Sequence, residues 1–152
     1  MDEKDKKILS LLQDDAMMAI GEIANQVGLS TTPCWRRIQK LEEQGVIRKR
    51  VALLDRDKLN ITVTVFVAVK TRHHTVEWLK NFNDTVNNIP EVMEAYRLSG
   101  DIDYLLRIVV PSIESYDKVY KQLIDRVEFS DVSSSFSMED MKSTTALPIN
   151  YI

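Results

Sequence analysis

Few side chains in this sequence are arranged for chemistry, and their spacing narrows what they can do. Asp101 and Asp103 stand two residues apart, beside Gly100 and Tyr104. Two neighbouring carboxylates can serve acid–base catalysis. No nucleophile, phosphate-binding loop or metal-ligand spacing accompanies them, so a solvated turn is the plainer reading than an active site. His73 and His74 are metal-ligand types, yet adjacent residues point in different directions on either a strand or a helix. With no cysteine or carboxylate cluster nearby, they read as surface histidines rather than a metal site. Cys34 is the single cysteine and cannot form an intrachain disulfide. A lone Cys on an apolar helical stripe is more often a small buried hydrophobe than a redox sensor.

The concentrated signal is basic. The chain's net charge of −3 argues on its face against nucleic acid. Its distribution argues otherwise. Residues 1–60 hold 11 Lys/Arg and 10 Asp/Glu, whereas residues 61–152 hold 9 and 13. Residues 30–50 alone carry six bases (Arg36, Arg37, Lys40, Arg48, Lys49, Arg50) against Glu42 and Glu43, a net +4. Positive charge gathered in one short segment suits an element that enters a DNA groove.

The flanking pattern supplies that element. Ile8, Leu11 and Leu12 follow helical spacing in a first helix, roughly Glu3 to Gln13. Ile20, Ile23, Ala24 and Val27 mark a second, stopped by Gly28 in a position suited to a left-handed cap. Ser30-Thr31-Thr32-Pro33 offers hydroxyl caps and a first-turn proline, and Cys34, Ile38 and Leu41 form the stripe of a third helix ending at Gly45. Two helices joined by a short Gly-containing turn make a helix-turn-helix, whose second helix enters the major groove N-terminal end first. Ser30, Thr31, Thr32, Trp35, Arg36, Gln39 and Lys40 lie at its start or off the apolar stripe and are the candidates to face DNA. Trp35 either stacks near the DNA backbone or covers the bundle; Cys34 already fills the inward position, which favours contact with DNA. Arg37 is expected to brace the fold. Val46–Leu54 reads as extended, and Arg48, Lys49 and Arg50 on this wing would contact phosphates, which position a protein without reading sequence. A plain helical bundle with a solvated basic face would show the same helix pair.

A polar stretch, 55–60, marks a hinge between a domain of residues 1–54 and one of residues 61–152, with Asn60 suited to a left-handed conformation. Beyond it, Ile61, Val63, Val65, Val67 and Val69 occupy alternate positions, a half-buried strand. A helix through Val76, Leu79, Phe82 and Val86 follows, then strands at Val92–Leu98 and Tyr104–Val110. A helix through Tyr116, Tyr120, Leu123 and Val127 and a strand through Val132, Ser134, Phe136 and Met138 complete the order βαββαβ, the ferredoxin-like split βαβ. The fold class is therefore α+β. One sheet face (Val63, Val65, Val67, Leu106, Ile108) should pack on the two helices. The opposite face carries Phe66, Ala68, Met93, Ala95, Leu105 and Val109, too apolar to leave in water, and predicts a homodimer. Ser133, Ser135 and Ser137 alternate on the last strand, lining a polar pocket or facing water, and Phe136 should point into the core.

Composition agrees with a soluble protein: 44% hydrophobic and 28% charged, with no apolar run of bilayer length and no secretory signature at the charged N-terminus. A cytoplasmic protein without a membrane partner is the expectation.

The stretch LSTTPCWRRIQKLEEQGVIRKRVALLD resembles the DNA-binding half of the Lrp/AsnC family, the feast/famine regulators, and LSGDIDYLLRIVV resembles the signature of that family's C-terminal ligand-sensing domain. TTPCW, KTRHH and SSSFSMEDMKSTTALP further resemble its cysteine-responsive detoxification subgroup. Asn60, where the family often has Gly, and Val127-Glu128-Phe129, where it usually has Pro-Gly, depart from the pattern. The resemblance implies a transcription regulator, not an enzyme. It also implies a double-stranded DNA partner, dimers that assemble into octamers, no cofactor, and a small amino acid as effector, cysteine first. An amino acid's ammonium and carboxylate each need a partner. On this reading Asp101 or Asp103 takes the ammonium, backbone N–H groups around Gly100 hold the carboxylate, and Tyr104, Ser135, Ser137, Thr144 and Thr145 complete the site. The rival readings are a small enzyme on a ferredoxin-like sheet and an adaptor whose bundle binds protein.

Overall fold

The computed structural model describes residues 1–151, which form two compact units. The first holds residues 1–53 and the described tail from 142 to 151; the second is Leu54–Met141.

Three helices build the first unit: α1 (Glu3–Asp14), α2 (Ile20–Val27) and α3 (Thr31–Glu43). Asp2 starts α1 with a capping box, its carboxylate accepting from the N–H groups of Lys4 and Asp5 while the Asp5 carboxylate accepts from the Asp2 N–H. This satisfies donors that a helix start leaves without intrahelical partners. Gly28 ends α2 at φ 66°, where a Cβ would be strained, and Lys4 Nζ donates to its carbonyl at 3.1 Å. Ile8, Leu9, Ile23, Ala24, Val27, Cys34, Ile38 and Leu41 form the core. Cys34 is fully buried, and burial pushes its thiol pKa up, as suits a packing residue.

Val46–Leu54 forms no β-ladder among the described residues. Val51, Leu53 and Leu54 are well exposed, so the expected alternation buries nothing. An extended segment becomes a strand only when a neighbour pairs its backbone. Residues 55–60 lie within the second unit as a hydrogen-bonded turn, where a hinge was expected: Leu59 N donates to Asp55 O and Ile61 N to Arg56 O. The Arg56 side chain donates to Ile61 O and Thr64 Oγ1, knitting this turn to the sheet. Asn60 does take the left-handed conformation, at φ 57°.

The second unit contains β1 (Val63–Lys70), α4 (Val76–Asn87), β2 (Val92–Arg97), β3 (Tyr104–Val110), α5 (Ile113–Arg126) and β4 (Asp131–Phe136). The strand order is β2-β3-β1-β4, antiparallel throughout. Period-2 alternation sends Val65, Val67, Val69, Leu106, Ile108 and Val110 to the helix side, where they meet Trp78, Phe82 and Val86 of α4 and Tyr116, Val119 and Leu123 of α5. The unexpected Val127-Glu128-Phe129 turn is held by the same core. Trp78 Nε1 donates to Glu128 O at 2.9 Å, and Phe129 packs edge-on against Trp78 and Phe82.

Two expectations need correction. Ala95 does not lie on the open face: a bulge between Val92 and Glu94 inverts the alternation, so Ala95 pairs with Leu106 on the helix side and Glu94 and Tyr96 take the open side. Phe136 pairs with Val65 and lies edge-on to Tyr116, but on an edge strand it remains 39% exposed. Tyr104, expected beside the effector, is buried against Phe82, with ring centroids 4.6 Å apart.

Candidate DNA-binding and effector sites

The helix α3 begins at Ser30, whose backbone is extended but whose side chain makes no cap bond. Pro33 falls within the first turn, where its missing N–H costs nothing. At about 100° per residue, Thr32, Arg36, Gln39 and Lys40 project opposite the buried Cys34/Ile38/Leu41 stripe, with Thr31 and Trp35 on the flank. Trp35 is 47% exposed, an unusual place for a large aromatic with no surface to cover. Gln39 Nε2 donates to Glu42 Oε2 at 3.0 Å and must exchange that partner to reach a base.

Arg37 points the other way. Its Nη1 donates to Asp2 Oδ2 and Asp5 Oδ1, each at 2.7 Å, gripping the capping box of α1. The bond from the Asp5 N–H, then the Arg37 guanidinium, hold the Asp2 carboxyl below its ordinary pKa. A groove of about 610 Å³ runs between this clamp and Arg36, Lys40 and Gln44. Arg48 and Lys49 are exposed, as phosphate contacts require. Arg50 is already engaged: Nη2 meets Glu42 Oε1 at 3.1 Å and Nη1 donates to Ala16 O at 3.0 Å, so it braces this unit.

A clamp that depresses a carboxyl pKa stabilises the fold above the unfolded value, near 3.8, and that contribution is lost as pH falls through the lowered folded value. Arg37→Ala should therefore lower the urea midpoint at pH 7, and the gap to wild type should narrow at about pH 3, below the unfolded carboxylate pKa. A gap of equal size at both pH values would show that the guanidinium acts by packing alone.

In the second unit, Gly100 and Asp101 sit in the exposed β2–β3 loop, with Gly100 at φ 127°, a conformation that excludes other side chains. Asp103 anchors that loop: its Oδ2 accepts from Thr71 N at 2.8 Å, its N–H donates to Val69 O, and its carbonyl accepts from Leu98 N. Asp103 thus has a structural task that sequence spacing did not reveal, and Asp101 is the carboxylate left toward solvent.

The expected site does not assemble within one chain. The loop adjoins the Val69 end of β1, at the β2 side of the sheet. Ser135 pairs with Phe66 on the opposite edge strand, three residues along β1, or about 10 Å at the usual strand rise. Ser137 lies farther on, donating N–H to Thr64 O and Oγ to Glu139 O. Thr144 and Thr145 belong to the tail that packs with the first unit. Ser134, not its neighbours, carries the buried hydroxyl contact, to the Tyr116 hydroxyl.

Residues 1–48 match a winged helix-turn-helix DNA-binding domain, and residues 64–147 match the Lrp/AsnC ligand binding domain. The chain belongs to the Lrp/AsnC family. Among its relatives, the glutamate uptake regulatory protein of Zymomonas mobilis is 51% identical over 149 residues, covering 98% of this chain and 91% of that protein. The DNA-binding transcriptional activator DecR of Escherichia coli is 45% identical over 150 residues, covering 98% and 99%. An AsnC family regulator from Agrobacterium tumefaciens has the same fold with a TM-score of 0.97 and 58% identity, covering 100% and 99%. A transcriptional regulator of Neisseria meningitidis, solved as a complex with L-Met, follows at 0.94 and 32%, covering 99% and 98%.

This Lrp/AsnC protein is thus a transcriptional regulator with a helix-turn-helix and an amino-acid ligand-binding domain, and its relatives are regulators rather than enzymes. Among the described residues, no helix is long and apolar enough to cross a membrane.

Proposed function

We propose that the protein binds double-stranded DNA as a homodimer through the outward face of α3 and adjusts that binding to a small amino acid, with cysteine the leading candidate. One observation carries the effector reading: a structural neighbour at TM-score 0.94 and 32% identity is a complex with L-Met. Methionine and cysteine share the α-amino acid group and a sulfur. The resemblance of TTPCW, KTRHH and the serine-rich segment to the cysteine-responsive subgroup favours the smaller of the two.

The binding chemistry begins at the β2–β3 loop. Asp101 supplies an exposed carboxylate for the ammonium, and Gly100 leaves its backbone open to the carboxylate. Ser135 and Ser137 lie too far along the sheet to join them in the same chain, so a second protomer completes the polar lining. Open sheet faces covering each other about a two-fold axis form the dimer, and an effector held between dimers favours the octamer. Occupancy alters DNA binding only through tighter binding to one assembly than to another.

Calorimetry with cysteine, serine, methionine, leucine and glutamate tests this. Cysteine is expected to bind wild type, and Asp101→Ala to weaken it while DNA binding persists. No binding by any amino acid would sink the sensing proposal, and unchanged binding to Asp101→Ala would misplace the site.

A further inference from the structure

The C-terminal tail, from Lys142 on, returns to the first unit. Gln13 on α1 meets Leu147 twice: Nε2 donates to the Leu147 carbonyl at 3.2 Å, and Oε1 accepts from the Leu147 N–H at 2.7 Å. A side-chain amide has one donor end and one acceptor end. When both engage one residue's backbone, they fix its position and direction as a strand partner would. Two residues on, Ile149 is half-buried against the α1–α3 core, within a short 3₁₀ turn (Ile149–Tyr151). Thr144 Oγ1 accepts from Ala146 N at 3.1 Å and shapes the approach.

The consequence lies in the connectivity. The chain passes between its two units twice, after Leu53 and after Met141. The first crossing lies within residues 48–54, which make no backbone hydrogen bond among the described residues. One such link leaves a unit free to turn; a second link, seated elsewhere on the same unit, restricts the turning. We propose that Gln13 is a positioning residue for DNA binding: by clasping Leu147 it seats the C-terminal tail as a second tether that limits rotation of the helix-turn-helix unit. This rests on the reading of a dimer that meets two half-sites.

The two half-sites must lie about 34–36 Å apart, or a multiple of that, for a dimer of fixed geometry. The test uses full-length Gln13→Ala and, separately, Ile149→Asp, on DNA from the protein's own upstream region. One duplex keeps the natural half-site spacing, and a second carries about 5 extra base pairs, half a helical turn. Wild type is expected to bind the shifted duplex at least about tenfold more weakly, because a restrained pair of units cannot engage both half-sites. Both variants should shrink that ratio to within about threefold, with affinity for a single half-site unchanged. Gln13→Glu, which keeps the acceptor for the Leu147 N–H and loses the donor, should fall between. Trypsin cleavage after Lys142 should accelerate in both variants, reporting release of the tail. A wild-type ratio near one, a ratio unmoved by the variants, or a tail still protected in them would each overturn the tether. Failure of DNA binding itself would show separately, as a wild-type protein that binds neither duplex.

Discussion

Phe66→Lys should convert the proposed dimer to a monomer and weaken binding to a two-half-site operator by about 10²–10⁴-fold, the avidity lost with the second half-site. The open sheet face is where this charge is least tolerable. Phe66 is 39% exposed in one protomer, with Tyr96 50% exposed and Leu105 half-buried beside it. These flank a bidentate pair: Arg107 Nε and Nη2 each donate to a Glu94 carboxylate oxygen at 2.9 Å. Phe66 stands directly opposite Arg107 in the β1–β3 register. A lysine there meets a cation whose nearest carboxylate is already committed. Covering it with a second sheet would desolvate that charge without a partner, at several kcal/mol per ion, and the two-fold axis imposes the cost twice. The isolated fold survives, because position 66 faces away from the core built by Val65 and Val67. Sedimentation, with circular dichroism confirming the fold, gives the answer. A variant that remains dimeric at micromolar concentration would place the interface elsewhere.

That face was only partly legible in the sequence, and the reason is local. Five apolar residues at alternate positions from Ile61 announce β1. Nothing in residue type announces the bulge between Val92 and Glu94, which exchanges Ala95 for Glu94 and Tyr96 on the open side. A one-residue slip inverts every later side chain of a strand, so pattern alone assigned β2 to the wrong face. The burial of Tyr104 was hidden for a related reason. A motif reads along the chain, whereas burial depends on Trp78 and Phe82, which approach from a helix more than 20 residues away. The structural task of Asp103 was hidden because a carboxylate's bond to a distant backbone N–H, here that of Thr71, leaves no trace in spacing. The clasp between Gln13 and Leu147 is invisible for the same reason: its Leu147 half is backbone, which every residue carries. The three helices and the βαββαβ order of elements needed only periodicity and helix-start signals, which short-range sequence does encode.

Arg36→Ala and Lys40→Ala should both weaken operator binding, and the manner of each loss identifies its contact. Both side chains are exposed and four residues apart on the outward side of α3, so one surface presents both charges. Arg37, next in sequence, is held by Asp2 and Asp5 and cannot substitute for Arg36 without breaking the start of α1. Loss of a bidentate contact to a guanine edge costs about 1–3 kcal/mol and relaxes preference at one base pair. Loss of a phosphate contact weakens all sequences alike and lowers the slope of log affinity against log salt by about 1. Arg36 lies one turn nearer the N-terminal end of α3, the end that enters the groove first. The first pattern is therefore expected for Arg36, whose planar fork suits a base edge, and the second for Lys40, a point charge suited to phosphate. Anisotropy titrations against operator and scrambled DNA at several salt concentrations separate the two. If both alanine variants bind operator like wild type, α3 is not the reading helix.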